Sequence, residues 1–131
     1  MEKKYLAKII AKDTHGLQFI SAICFEAEIK PTEIKFLRKN KIFLLLMKRF
    51  SRETKDTDVK INSICKFEFV DNVKSKNIDQ ADTNLVLKLM NIDLLKNKEN
   101  YEISLIFSND AYISLSTEII EVTLEDQNKD F

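Results

Sequence analysis

Glycine, proline, histidine and tryptophan are nearly missing from this chain. Gly16 is the only glycine. Neither a P-loop nor a GxGxxG dinucleotide fingerprint can be written, since both need several glycines to bring backbone N–H groups against phosphate. His15 is the only histidine, and Cys24 and Cys65 are far apart with no CxxC, so a zinc site built from Cys and His lacks ligands. Pro31 is the only proline, and no Pro/Gly/Ser-rich linker divides the 131 residues. At roughly 100–200 residues per domain, one domain spanning 1–131 is expected. The longest unbroken apolar run, Ile42 to Met47, has six residues, against the ~20 of a membrane-spanning helix. Lys8 and Lys12 interrupt the first apolar stretch before a signal-peptide core could form. A cytoplasmic protein with no membrane contact and two unpaired cysteines is expected.

What is present is a large apolar complement: 14 Leu, 16 Ile, 5 Val and 9 Phe, enough to bury a core without disulfides or a metal. Residues 5–11 alternate as a first strand. Asp13-Thr14 can then cap a helix running to about Ala27, with Leu17, Ile20, Ile23, Cys24 and Ala27 on its buried stripe. From Ile34 the period becomes two. Residues 34–37 and 41–50 read as a hairpin around Arg38-Lys39-Asn40-Lys41, with Asn40 suited to a left-handed turn. The run Ile42–Met47 has no polar alternate, which predicts a central strand covered on both faces.

In residues 59–69, Val59, Ile61, Cys65, Phe67 and Phe69 alternate with polar residues, the clearest strand in the chain. Leu85, Leu87 and Leu89 alternate, but Leu85, Leu89 and Ile92 also fit a helical step; strand is favoured. Residues 101–107 and 112–116 read as a hairpin about Ser108-Asn109-Asp110. In 118–124, Ile120, Val122 and Leu124 alternate, although Ile120 and Leu124 would share a helix face. Residues 127–131 are expected to fray. The fold class is therefore α+β, a mostly antiparallel sheet forming a sandwich or a partly open barrel, with one helix after the first strand.

Several stretches carry a family resemblance: Phe43-Leu44-Leu45-Leu46-Met47-Lys48-Arg49-Phe50, Lys76-Asn77-Ile78-Asp79, Leu87-Lys88-Leu89-Met90-Asn91-Ile92, and Ile103–Phe107 followed after a short turn by Ile113–Glu121, Leu124 and Asp126. Together they resemble an uncharacterised domain-of-unknown-function family of short alphaproteobacterial proteins. The chain departs from it at Ser108-Asn109-Asp110, where glycines are common, and at Lys48, where Asn is common. The resemblance implies a bacterial, cytosolic protein and transfers no activity.

Charge is the remaining signal. Residues 35–55 carry a local balance of +7 and residues 99–131 one of −7, within a net charge of zero. Such asymmetry can steer an anion or an acidic partner to one end. Lysine outnumbers arginine 18 to 3, so each arginine carries more meaning than a lysine does. Arg38, Lys39, Lys48, Arg49 and Arg52 are the candidate anion or partner contacts, and Glu118, Glu121 and Glu125, at helical spacing, the candidate acidic contacts. A neutral chain lacks the basic footprint of a nucleic-acid binder. His15 and Cys24, about 13 Å apart along a helix at 1.5 Å per residue, cannot form a dyad. With no nucleophile–base pair and no cofactor cradle, the reading leans away from an enzyme and names no catalytic residue, cofactor or metal. It leaves a small cytosolic module that binds a protein partner or forms a homo-oligomer, or alternatively an anion- or small-ligand-binding accessory domain using the basic 35–55 hairpin.

Overall fold

The computed structural model describes residues 6–51 and 59–128. Its elements in chain order are β1 (Lys8–Ala11), α1 (Thr14–Ile23), β2 (Ala27–Ile29), β3 (Ile34–Leu37), β4 (Ile42–Phe50), β5 (Lys60–Phe67), β6 (Val70–Lys76), β7 (Leu87–Asn97), β8 (Asn100–Phe107), β9 (Tyr112–Thr117) and β10 (Val122–Asp126). All strands join one antiparallel sheet in the order β1-β10-β5-β4-β2-β7-β8-β9-β6, while β3 shares one edge of β4 with β2. The α+β class holds, and of the two expected architectures the structure takes the single unclosed sheet rather than a two-sheet sandwich.

One face of this sheet supplies one continuous core. Ala11, Phe43, Leu45, Cys65, Leu89, Leu105, Leu115 and Leu124 from seven strands belong to the same cluster, together with Leu17, Ile20 and Ile23 of α1. A single sheet can do this only by curling around its own inner face, with the helix on that inner side. The curl brings the β6 end of the sheet back against the β3–β4 turn: Val70 N–H donates to Lys41 C=O at 2.8 Å.

Asp13 caps α1, its carboxylate accepting from Gly16 N–H at 2.8 Å. Gly16 is required by space, since a Cβ there would stand 2.9 Å from Ala11 Cβ. The helix ends at Ile23, four residues before the expected Ala27, because the chain turns through a left-handed Glu26 (φ 66°) into β2. With so little glycine, left-handed turn positions fall to Lys41, Phe69, Asn77, Lys98, Asn109 and Asp110 as well; Lys41 takes the role expected of Asn40, and the left-handed, exposed Phe69 ends the strand expected over 59–69 at Phe67. Residues 84–95 resolve mainly as β7, and of 118–124 only Val122 onward is strand. The expected fray does not begin at 127: Gln127 N–H donates to Asn62 C=O at 2.7 Å, and residues 129–131 lie outside the described residues.

Cys24 and Cys65 are buried free thiols. Burial, aided by the nearby Asp126 charge and opposed by Arg49, pushes Cys24 up to about 12, and burial raises Cys65 as well, so neither is a thiolate at neutral pH.

Inward-facing Thr117 on β9 is the one buried side-chain polar atom among the described residues without a hydrogen-bond partner. Thr117→Val keeps the shape and removes the unsatisfied hydroxyl. We expect it to stabilise the protein by about 1 kcal/mol in chemical denaturation; a loss of stability would mean the hydroxyl is satisfied after all.

Candidate interaction surface

Strand β4 is central, with β5 along one edge and β3 and β2 along the other. Its odd positions Phe43, Leu45 and Met47 are buried, but Ile42, Leu44, Leu46 and Phe50 are only half-buried. The expected burial of both faces therefore fails: the helix packs on the inner face, and no second layer among the described residues covers the outer one. Cross-strand register places Leu44 between Lys35 and Lys66, and Leu46 beside Ile64, itself half-buried. Leu37 lies opposite Ile42 and is 44% exposed. An aliphatic stripe thus runs the length of β4 on the outer surface, interrupted only by exposed Lys48. At its far end Lys60 Nζ stands 5.5 Å from the Phe50 ring centroid and 3.0 Å from Glu28.

Of the basic candidates, Arg38, Lys39 and Lys48 are exposed, and the Arg38 guanidinium stands 5.1 Å from the Phe36 ring centroid. Lys41 donates to Asp71 at 2.9 Å, and this bond raises its amine. Arg52 lies outside the described residues. Arg49 must be withdrawn as a surface contact. It has the inward phase of Phe43, Leu45 and Met47 and no solvent exposure, and its Nε and Nη2 donate to Asp126 Oδ1 and Oδ2 at 2.9 and 2.6 Å. Ser63 Oγ donates to Oδ1 at 2.6 Å and Ala7 N–H to Oδ2 at 2.7 Å, while Arg49 Nη1 also reaches Phe50 C=O at 3.2 Å. A buried charge is tolerated only with such a complete set of partners. Burial alone would raise the Asp126 carboxyl; the bonds from Arg49, Ser63 and Ala7 outweigh it and hold the carboxyl below its ordinary range. This closed cluster joins the basic segment to the acidic one inside the protein and offers no atom to a ligand.

The acidic candidates do not share a face. Glu118 and Glu121 lie in the β9–β10 connection and Glu125 on β10, paired in register with Lys8 and Ile64. Glu121 stands 3.7 Å from Lys12 and hydrogen-bonds to Glu68, which raises the Glu68 carboxyl. His15 is exposed in the first turn of α1. No group of three His, Cys, Asp or Glu side chains among the described residues could hold a metal. In a groove between α1 and β7, lined by Ser21, Phe25, Met90 and Asn91 among others, the Ser21 and Asn91 side chains already pair with each other. Ser21 Oγ donates to Asn91 Oδ1 at 3.0 Å and accepts from Ile92 N–H at 2.9 Å.

The profile of the family described as "Protein of unknown function (DUF2948)" matches residues 7–131. The chain belongs to the DUF2948 family. No curated protein and no solved structure matches it. The DUF2948 match spans β1 through β10 and so includes both partners of the buried cluster and the whole β4 stripe. Among the described residues, no helix of this DUF2948 chain is long and apolar enough to cross a membrane.

Proposed function

We propose that this chain is a small, non-catalytic cytosolic interaction module that docks an acidic partner protein on the outer face of β4. One observation carries the reading: an unbroken sheet face bears Ile42, Leu44, Leu46 and Ile64 where a solvated antiparallel face ordinarily carries polar residues. Lys35, Lys48 and Lys66 stand beside it in register. Apolar area centred in a polar rim is the ordinary anatomy of a protein-binding patch, and the rim's sign favours an acidic partner. Two buried reduced thiols fit a reducing compartment. The anion-site alternative needed arginines to converge at the surface, and Arg49 instead faces the core.

A photo-cross-linking residue placed at 44 or 46, with one at His15 as control, tests this in the native cytosol. The expected result is one discrete adduct with an acidic protein from 44 and 46 only, lost in Lys48→Glu/Lys66→Glu and weakened by salt. An equal yield from position 15, no adduct, or an adduct of two copies of this chain would each overturn it.

A further inference from the structure

The sheet does not close, and among the described residues β1, β3 and β6 each pair along one edge only. Strand β3 pairs only with β4, and β6 pairs only with β9. Their outer edges face each other across a slit lined by Ile34 and Phe36 of β3, Val73 and Ser75 of β6, and Ile78 and Gln80 of the following loop. The Val70 N–H to Lys41 C=O bond pinches one end shut. No described backbone hydrogen bond links β3 to β6 beyond that pinch. Under the slit lies a cavity of about 90 Å³ whose floor is Phe43 and Ile113, room for one branched aliphatic side chain.

We propose that this slit receives an extended acidic peptide, which adds to the free edge of β6 as a further strand and seats one aliphatic side chain in the cavity. Strand addition fits because an unpaired edge offers main-chain donors and acceptors, while the pocket beside it reads alternate side chains. The charges select the sign of the peptide. Lys35, Arg38 and Lys39 flank the slit on the β3 side, and Lys74 and Lys76 on the β6 side; all five are exposed. Four of the nearby acids are engaged within the chain: Asp71 pairs with Lys41, Asp79 and Asp82 accept the backbone N–H groups of Ala81 and Asn84, and Glu33 accepts that of Lys30. Lysines along β6 repel the same edge of a second copy, the usual protection of an exposed strand, and by the same charge they admit an acidic strand. Lys35 borders both this slit and the β4 face, and an acidic partner is common to the two proposals; the β6 edge and the cavity are not part of the β4 face.

The probe is a labelled, capped nonapeptide alternating Glu and Val, followed by fluorescence anisotropy, with a control in which every Val is replaced by Pro. Proline keeps the charge and removes donors needed for strand pairing. We expect the control to bind at least tenfold more weakly. Ser75→Phe, which fills the slit, and Lys74→Glu/Lys76→Glu should each weaken the alternating peptide at least tenfold. Hydrogen exchange should slow at amides of residues 71–76. Gln80→Trp fills the same slit from a loop and serves if Ser75→Phe does not fold. Failure of the alternating peptide to bind, equal binding of the proline control, or undiminished binding to the slit-filled variant would overturn the inference. Binding that survives slit filling but is lost in Leu46→Lys would overturn it while leaving the β4 docking face intact.

Discussion

Asp126→Ala is expected to cost about 3–5 kcal/mol, because it removes the buried carboxylate that accepts from both Nε and Nη2 of Arg49. Against a total stability of about 5–15 kcal/mol, that brings the folded state close to failure at ambient temperature. The loss should be read by denaturant titration, beside the double variant Arg49→Met/Asp126→Leu. If the cost comes from an orphaned charge, the double variant recovers more than half of it, since an apolar pair of similar bulk replaces a buried ion pair with little penalty. A single variant within about 1 kcal/mol of the parent would show that water or another group reaches Arg49. The cluster also sets an acid limit. Asp126 has a lower pKa in the folded protein than in the unfolded chain, so as pH falls the unfolded chain takes up the proton first. The stability this carboxylate contributes is complete above the ordinary Asp value of about 4 and is lost as pH drops through the lower, folded-state value. Asp126→Asn should lack that part of the acid transition.

Two neighbouring leucines should respond in opposite ways to the same substitution. Leu45 is fully buried, and Leu45→Asp places a carboxylate among Phe43, Met47 and Cys65 with no partner, a cost of several kcal/mol that should abolish folded expression. Leu44 lies one residue away on the outer face between Lys35 and Lys66. Leu44→Asp there gives up part of the stripe and gains two cross-strand cations, so a change within about 1 kcal/mol is expected. Melting temperatures of the two purified variants decide the matter. Equal collapse of both would mean that the outer face is covered, and the docking surface would go with it.

Where side chains alternate cleanly, as from Ile61 to Phe67, the strand is readable from residue order alone. Strand β2 is not. It has three residues, and Ala27 continues the apolar stripe of α1 at a helical step, so nothing in the pattern marks the left-handed turn at Glu26. Strand β6 hides for another reason: as an edge it buries little beyond Val70 and part of Val73, and its Lys, Asp and Asn positions read as a loop. The six-residue run of β4 misleads because periodicity reports hydrophobicity, and an apolar outer face needs no cover to be written into a sequence. The buried cluster left a usable trace. Arg49 sits in phase with Phe43, Leu45 and Met47, Asp126 in phase with Val122 and Leu124, and Ser63 in phase with Ile61 and Cys65. Opposite charges at core phase on two strands predict a buried pair, a stronger inference than the sum of charges along each segment, which placed Arg49 at the surface.

Strand β10 lies between β1 and β5, pairing with both, and its Asp126 closes the cluster that ties residues 7, 49 and 63 together. During synthesis the edges that pair with β10 therefore wait, that of β1 for residues 12–121 to follow and that of β5 for residues 68–121. Local pieces such as the β7–β8 and β8–β9 hairpins can form early, but the core cannot shut before residue 126 is free to enter. Contacts so distant in sequence slow folding and leave intermediates with exposed strand edges. The fold is thus completed only once β10 has been inserted between β1 and β5, and until then those two edges are open to wrong partners.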